Sequence, residues 1–311
     1  MRALVTGGAG FIGSTLADAL LAAGAQVSVI DDLSRGHREH VPEGADFHQL
    51  DVVDDRLTAL LAALDPEIVF HEAAQIDVRR SVADPLLDTR INVLGTVNLL
   101  DGCARAGVRR VIFASSGGAL YGDTSVLPTP ESHPCEPASA YGAAKLTGET
   151  YGGVFAKLHG LEFIALRYGN VYGPRQDPHG EAGVVAIFAE RLLAGRDTTI
   201  NGDGTQTRDY VFVDDVVDAN LRAAEAESIS LGAFNIGTGR QCDVNELYSL
   251  IARAAGVERP PRHGPAMPGE QRTSCLDVTR ATELLGWRPR VALEEGISRT
   301  VDWFRDRGDR Q

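Results

Sequence analysis

One stretch constrains this chain more than any other: TGGAGFIGS, residues 6–14. It follows a short apolar run at residues 3–6 and opens an Ala/Leu-rich segment of helical length, so Gly7, Gly10 and Gly13 stand where a strand turns into a helix. Small residues at such a turn let backbone amides and the positive end of the helix dipole approach a pyrophosphate. The alternative is that the glycines make only a tight turn.

The rest of the first half repeats that strand-then-helix texture. Strands are expected near residues 26–30, 46–50, 68–71, 110–115 and 162–167, with helices over 11–23, 54–64 and 92–106. This alternation predicts an α/β fold, a Rossmann-type doubly wound parallel sheet with its ligand crevice at the carboxyl ends of the strands. Past Gly169 the regularity gives way to Gly- and Pro-rich sequence such as GNVYGPRQDPHGEAG. Residues 1–169 are read as the dinucleotide-binding Rossmann domain, whose sheet can recruit later segments, and residues 170–311 as a smaller α/β substrate lobe. Within 311 residues, two or more independent domains would be cramped.

Asp31 ends the second expected strand, where a carboxylate accepts hydrogen bonds from both ribose hydroxyls and repels a 2′-phosphate, so NAD is favoured over NADP. Arg35 is near enough to keep NADP open. Asp51 and Val52, after the third strand, are candidate adenine contacts, although an Asp there serves equally as a turn residue. The eight histidines, including His71 beside Glu72, lack ligand spacing, and Cys103, Cys135, Cys242 and Cys275 show no CxxC pattern. Neither a metal nor a disulfide framework is expected.

A formal net charge of −13 argues against a nucleic-acid groove or an anionic membrane surface, since either needs a basic face. The opening MRALVTGG runs straight into a strand, and no stretch approaches the roughly 18 apolar residues of a membrane span. A cytoplasmic location with free thiols is expected.

The second informative feature is Tyr141-Gly-Ala-Ala-Lys145. On a helix this i, i+4 pair sets a phenol and an ammonium on one face. A nearby cation stabilises phenolate and lowers the tyrosine from its usual value of about 10 toward neutral pH, as a general base requires. A surface pair is the bland alternative. Among 30 basic residues, however, only Lys145 and Lys157 are lysines, so a lysine here needs a reason.

With these motifs the chain resembles the extended short-chain dehydrogenase/reductases, and among them the UDP-galactose 4-epimerases (UDP-glucose 4-epimerases). The resemblance runs through TGGAGFIGS, HEAAQIDVRRSVADP, NVLGT, SSGGALYG, YGAAK, RYGNVYGPRQ, GDGTQTRDYVFVDD, NIGTG and LGWRPRVALEEGISRTVDWF, which is nearly the whole chain. It implies NAD-dependent inversion at C4 of UDP-glucose or UDP-galactose through a transient 4-keto sugar. Tyr141 would take the C4 hydroxyl proton while NAD takes the C4 hydride, and both would return after the sugar has turned over.

The resemblance also implies cofactor contacts from Gly7, Gly10, Phe11, Ile12, Gly13, Asp31, Asp32, Asp51, Val52, Ala73, Ala74, Gln75, Asn92, Ser115, Tyr141, Lys145 and Tyr168, with Lys145 on the nicotinamide ribose. The substrate contacts it implies are Ser116, Tyr141, Asn170, Arg175, Val184, Val185, Arg208 and Ser274, of which Asn170 and Arg208 suit pyrophosphate oxygens. A homodimer is implied as well, although acidic helices fit a monomer equally.

Several positions discriminate within the family. Relatives that dehydrate or decarboxylate carry a carboxylate two residues before the Tyr of Tyr121-Gly122, often with an Asp beside it; here the two positions are Ala119 and Gly118, which leaves epimerisation. Many epimerases place a catalytic Ser or Thr four residues before that Tyr. Here the position is Gly117, so Ser116 is the expected third catalytic residue and Ser115 a strand-end structural one.

In Met267-Pro-Gly-Glu270, Met267 stands where many relatives have a phosphate-binding arginine, leaving Arg272 or Arg208 to compensate. Ser274 occupies the position whose bulk limits the C2 substituent, so UDP-N-acetylhexosamines stay open as substrates. UDP-glucuronate stays open through Arg175, which would pair with a uronate if it faced the cleft, the favoured reading being that Arg175 is structural or serves the nucleotide. A nucleotide-sugar dehydratase or decarboxylase is a competing reading, and so is an NAD-sensing binding protein on the same fold.

Overall fold

The computed structural model describes residues 1–179, 183–227, 229–266 and 271–308. Its first strand, β1 (Arg2–Thr6), is apolar on both faces, as a strand covered on both sides must be. Ala3 and Val5 join one core and Leu4 the other. There follow α1 (Phe11–Ala22), β2 (Gln26–Asp31), β3 (Asp46–Gln49), α2 (Leu57–Leu64), β4 (Ile68–His71), α3 (Val78–Ala83), α4 (Pro85–Asp88), a π-helical turn (Thr89–Leu94), α5 (Gly95–Ala106), β5 (Arg110–Ser116), the single turn α6 (Gly117–Leu120), α7 (Ala140–His159) and β6 (Glu162–Tyr168).

Beyond β6 come β7 (Asn170–Tyr172), α8 (Val184–Leu193), β8 (Thr199–Asn201), β9 (Thr207–Arg208), β10 (Tyr210–Phe212), α9 (Val213–Glu225), β11 (Leu231–Ile236), β12 (Cys242–Asp243), α10 (Val244–Ala255), β13 (Arg262–Gly264), α11 (Thr279–Leu285) and α12 (Leu293–Gly308).

Seven strands form one parallel sheet in the order β11-β6-β5-β4-β1-β2-β3. This is the expected Rossmann-type arrangement. Connectivity reverses between β1 and β4, so the crevice beyond their carboxyl ends is the switch point at which such sheets bind ligands. The seventh strand is a recruit from beyond residue 169: β11 runs beside β6 from Leu231 against Phe163 to Ile236 against Tyr168. Val216, Ala219 and Ala223 of α9, with Ala281, Leu285 and Trp287, pack with Leu16 and Leu20 of α1 on one face of the sheet.

Leu57, Leu61, Leu99, Leu100 and Cys103 of α2 and α5 cover the other face, together with Phe113 and Phe163. Two glycines draw α7 onto that face. A Cβ at Gly148 would lie 2.6 Å from Phe113 Cζ, and one at Gly152 would lie 2.3 Å from the Phe163 ring, so any larger residue would push the helix away. The close approach carries Tyr141 and Lys145, in the first turns of α7, to the crevice. Ser139 caps the start of α7, its side chain accepting the Gly142 N–H at 3.1 Å, and Gly160 ends the helix in the left-handed region.

The later segments have a core of their own, in which Phe188 and Leu192 of α8, Leu247 and Ile251 of α10, and Ile297 and Val301 of α12 meet. Parallel pairing of β7 with β10 ties it to the end of β6. Among the described residues, no helix is long and apolar enough to cross a membrane.

Candidate active site

The glycine turn is shaped by contacts that exclude side chains. Gly7 has φ +70°, its N–H donates to Ile30 O at 2.8 Å, and a Cβ there would sit 2.7 Å from Ala73 N. A Cβ at Gly13 would stand 2.2 Å from Gly7 O. Gly10 precedes α1 without any side-chain cap, and no acidic residue lies in the first turn that Phe11, Ile12 and Gly13 form. These N–H groups and the dipole behind them are suited to a phosphate.

The Asp31 carboxylate is fixed beside this turn by the N–H groups of Ala9 (3.0 Å) and Leu33 (2.8 Å). Burial pushes its carboxyl above the usual range, and those two amide bonds oppose the shift. Asp32 accepts from the N–H and hydroxyl of Ser34 at 2.9 and 2.6 Å. Asp51 accepts the Val53 N–H at 3.1 Å, the turn role that the sequence left open, and Val52 is buried beside it with its carbonyl bonded to Asn98.

Ala73, Ala74 and Gln75 follow β4 past the crevice. Asn92, on the π-helical turn, accepts the Gln75 N–H (2.9 Å) and donates to Gln75 O and Asp88 Oδ1 (both 2.9 Å). The Gln75 side chain is engaged in turn with Asp77 and Asp88. Both amides are thus occupied within the protein, and what they set directly is the path of residues 73–75.

At the Tyr141-Lys145 pair, Lys145 Nζ donates to Ala114 O at 2.7 Å and stands 4.9 Å from the Phe113 ring centre and 5.8 Å from that of Tyr141. The expectation that Lys145 lowers the tyrosine is corrected here. Burial pushes Tyr141 above its ordinary value, the Asp88 charge adds to this, a hydrogen bond with Ser116 opposes it, and Glu72 raises it further. Burial meanwhile lowers Lys145 to about 8, with Glu72 and Asp88 holding it up. The ammonium is directed to a carbonyl and flanked by two carboxylates, so its field at the phenol is largely cancelled.

The two serines separate clearly. Ser115 Oγ donates to Glu149 Oε1 at 2.6 Å, in an ion pair that Arg167 completes, a structural use of this hydroxyl. Ser116 is the serine whose hydroxyl lies near enough to Tyr141 to oppose the upward shift of its phenol. Gly117 cannot supply one: a Cβ there would lie 2.6 Å from Leu276 Cδ1, so the side chain of Leu276 fills that space. Gly118 instead looks onto Asn170, whose Oδ1 would be 3.7 Å from a Cβ at that position.

On the substrate side, Arg208 donates to Thr207 O at 2.8 Å, and buried Ser274 bonds through its N–H to the same carbonyl at 3.2 Å. Val185 lies in the lobe core, with Val184 half-buried beside it at the start of α8. The Arg175 guanidinium reaches Asp18 Oδ2 at 2.7 Å and Ser14 Oγ at 3.2 Å on α1, an ion pair in keeping with a structural role. It faces a cavity of about 530 Å³ lined also by His37, His40 and Phe304, which includes neither Tyr141 nor Lys145. The Met267 departure lies outside the described residues.

Sequence reasoning passed over two carboxylates. Glu72 accepts from the Tyr168 hydroxyl at 2.9 Å, which itself accepts from Asn220 Nδ2 at 2.8 Å. Asp88 is buried, and its Oδ2 is without a partner. Neither belongs to a spaced motif; only the fold brings them to Lys145. Among the described residues, no group of three His, Cys, Asp or Glu is placed to hold a metal ion.

Comparison with known proteins agrees with this geometry. The pattern of the NAD dependent epimerase/dehydratase family matches residues 3–237. The chain is 53% identical to a UDP-glucose 4-epimerase of Mycolicibacterium smegmatis over 99% of both chains. The structure of a UDP-glucose 4-epimerase from Thermotoga maritima with UDP-glucose superposes with TM-score 0.96 at 47% identity, covering 99% of each chain. That of a Thermus thermophilus UDP-glucose 4-epimerase in complex with NAD superposes with TM-score 0.92 at 45% identity, covering 98% of this chain and 99% of the other.

Proposed function

The chain belongs to the NAD-dependent epimerase/dehydratase family, and from that premise we propose that it is an isomerase that inverts C4 of a UDP-hexose, interconverting UDP-glucose and UDP-galactose. The observation that carries the reading is the meeting of Tyr141, Ser116 and Lys145 at the crevice, beside two positions, Gly118 and Ala119, that offer no acid or base for elimination.

NAD fits the residues present: an uncapped α1 N-terminus beyond a turn too tight for side chains, and the Asp31 carboxylate beside it for ribose hydroxyls. When bound, NAD supplies an acceptor that takes the C4 hydrogen with its bonding pair and gives it back, and a cationic ring that favours phenolate nearby. The protein's part is proton movement and positioning. Tyr141 takes the proton from the sugar O4 and later returns it, Ser116 shares that hydrogen bond, and Lys145 anchors the ribose side. Asn170 and Arg208 hold the pyrophosphate, which tethers the 4-keto sugar while it turns over.

Ser274, small and buried, makes UDP-N-acetylhexosamine the second substrate for the same chemistry. The Asp18 ion pair withdraws the guanidinium that a uronate would need from Arg175. Exposed Tyr151, Val154 and Leu158 form one apolar face of α7, with exposed Leu94 at the end of the π-helical turn just before α5, and support a homodimer through these helices. Four unpaired cysteines suit the cytoplasm.

The test is to incubate the purified protein with UDP-glucose, UDP-glucuronate and UDP-N-acetylglucosamine separately and resolve the C4 epimers. UDP-galactose should form from UDP-glucose; no interconversion in any tube would sink the proposal. Tyr141→Phe should abolish turnover and keep bound NAD, because the phenol moves the proton but does not anchor the dinucleotide.

A further inference from the structure

The place of the Tyr141 phenol is set by the backbone that carries it. Tyr141 is the second residue of α7, and an N–H at that position has no acceptor within its own helix. Ser139 caps the turn through the Gly142 N–H at 3.1 Å and leaves the Tyr141 N–H unserved. Its acceptor comes from another helix. Ser81 of α3, fully buried, takes the Tyr141 N–H on its Oγ at 3.1 Å. The direction of the bond is fixed, because the one hydroxyl proton of Ser81 goes to Val78 O at 2.7 Å and a backbone N–H can only donate.

We propose that Ser81 is a positioning residue of this active site: through the Tyr141 N–H it sets where the phenol stands relative to Ser116 and the glycine turn.

Within the chain, Ser81 is the one residue of α3 that is buried, so what this short helix sends inward is that hydroxyl. Ser81 is itself held from the side of the glycine turn. Its N–H donates to Asp77 O at 3.0 Å, and the Asp77 side chain starts α3 by accepting the Arg80 N–H at 2.9 Å. Gln75 grips the Asp77 backbone at both ends: its Oε1 accepts the Asp77 N–H at 2.6 Å and its Nε2 donates to Asp77 O at 2.9 Å. Asp88 Oδ1 fixes the same Nε2 at 3.0 Å.

Gln75 closes the segment that passes the glycine turn, where a Cβ at Gly7 would meet Ala73 N at 2.7 Å. An unbroken run of hydrogen bonds therefore leads from that segment through Gln75, Asp77 and Ser81 to the Tyr141 backbone. The first turn of α7 is also pressed by α6, the turn that follows Ser116: a Cβ at Gly142 would lie 2.4 Å from Ala119 O. Held by α3 and α6 together, Tyr141 keeps its register to Ser116 and to the glycine turn at once.

Ser81→Ala removes the acceptor, and Ser81→Cys keeps nearly the same volume with a far weaker one. In both variants kcat for UDP-glucose should fall about tenfold or more, since a shift of about 1 Å at a reacting group costs that much or more. KM and bound NAD should stay within about twofold of the parent, because Ser81 acts on the step and not on binding. Hydrogen exchange at the Tyr141 amide, read by NMR, should quicken at least about tenfold, while amides near Lys157 at the far end of α7 keep the parent rate. Ser81→Cys carries the test should Ser81→Ala fail to fold.

A lowered Tm with kcat unchanged in these variants overturns the proposal, as does unaltered exchange at Tyr141. Loss of kcat, KM and bound NAD together overturns it as well, since the whole crevice would then have loosened. The kinetic arm rests on the epimerase reading and the exchange arm does not, so faster exchange at Tyr141 with no epimerase activity in the parent would fault that reading alone.

Discussion

Ser115 and Ser116 are adjacent, similar in chemistry and opposite in expected effect, so replacing each by alanine separates structure from catalysis. Ser115 Oγ donates to Glu149 at 2.6 Å, and Glu149 also takes the Nε and Nη2 of Arg167 at 2.9 and 2.7 Å. A bond to a charged acceptor contributes about 1.5–3 kcal/mol. Because both Arg167 bonds survive, Ser115→Ala should cost about 1–2 kcal/mol, a Tm loss on the order of 4 °C for a chain this long. Its kcat should stay within about twofold of the parent.

Ser116 is the serine whose hydroxyl eases ionisation of Tyr141, and it is only half-buried. Removing a hydroxyl aimed at charge developing on the reacting oxygen costs about 2.7 kcal/mol of barrier, or about 100-fold in kcat. Stability should change by less than about 1 kcal/mol. Calorimetric Tm and steady-state turnover of UDP-glucose, measured on both variants, decide the matter. A larger kcat loss in Ser115→Ala than in Ser116→Ala would refute the assignment of roles.

Gly117→Ser places a Cβ 2.6 Å from Leu276 Cδ1 and should destabilise by about 1–3 kcal/mol in urea rather than improve the site; the loss in the double variant with Leu276→Ala should be smaller than the two single losses added. Acid should weaken the fold through His71, whose folded value of about 3 lies below its ordinary 6.5. The unfolded chain binds that proton below about pH 6.5 and the folded protein does not, so the contribution is intact above that pH and is lost toward pH 3 at about 1.4 kcal/mol per unit. Unfolding free energy measured in urea at pH 6.5 and pH 5 should differ by about 2 kcal/mol from this residue, with buried His40, lowered to about 4 by burial, acting in the same direction. His71→Gln should flatten the slope.

The positions of the first six strands were legible because each is a short apolar run between turn residues and helical segments, a pattern that sequence carries locally. The seventh was not. β11 (LGAFNI) lies after the irregular segments, and nothing in its neighbours says that it returns to the edge of β6. The start of α5 was likewise read three residues early, because residues 92–94 are helical in outline but belong to the π-helical turn that aims Asn92 at Gln75. At the site, the glycine turn, Asp31, Tyr141 and Lys145 announced themselves by spacing. Glu72 and Asp88 did not, since their charges bear on Lys145 only once separate elements have packed together.

By itself, then, the sequence determined the parallel α/β architecture and singled out the glycine turn and the Tyr141-Lys145 pair. Each of these rests on periodicity or fixed offsets along one strand-turn-helix or one helical turn. Tertiary structure alone decided how those groups are charged. Burial raised Tyr141 where an i+4 lysine was expected to lower it, an α1 carboxylate drew Arg175 away from the cleft, and Leu276 took the space a hydroxyl at residue 117 would need. Desolvation and ion pairing depend on which atoms meet from distant segments, and no local pattern of residues encodes that.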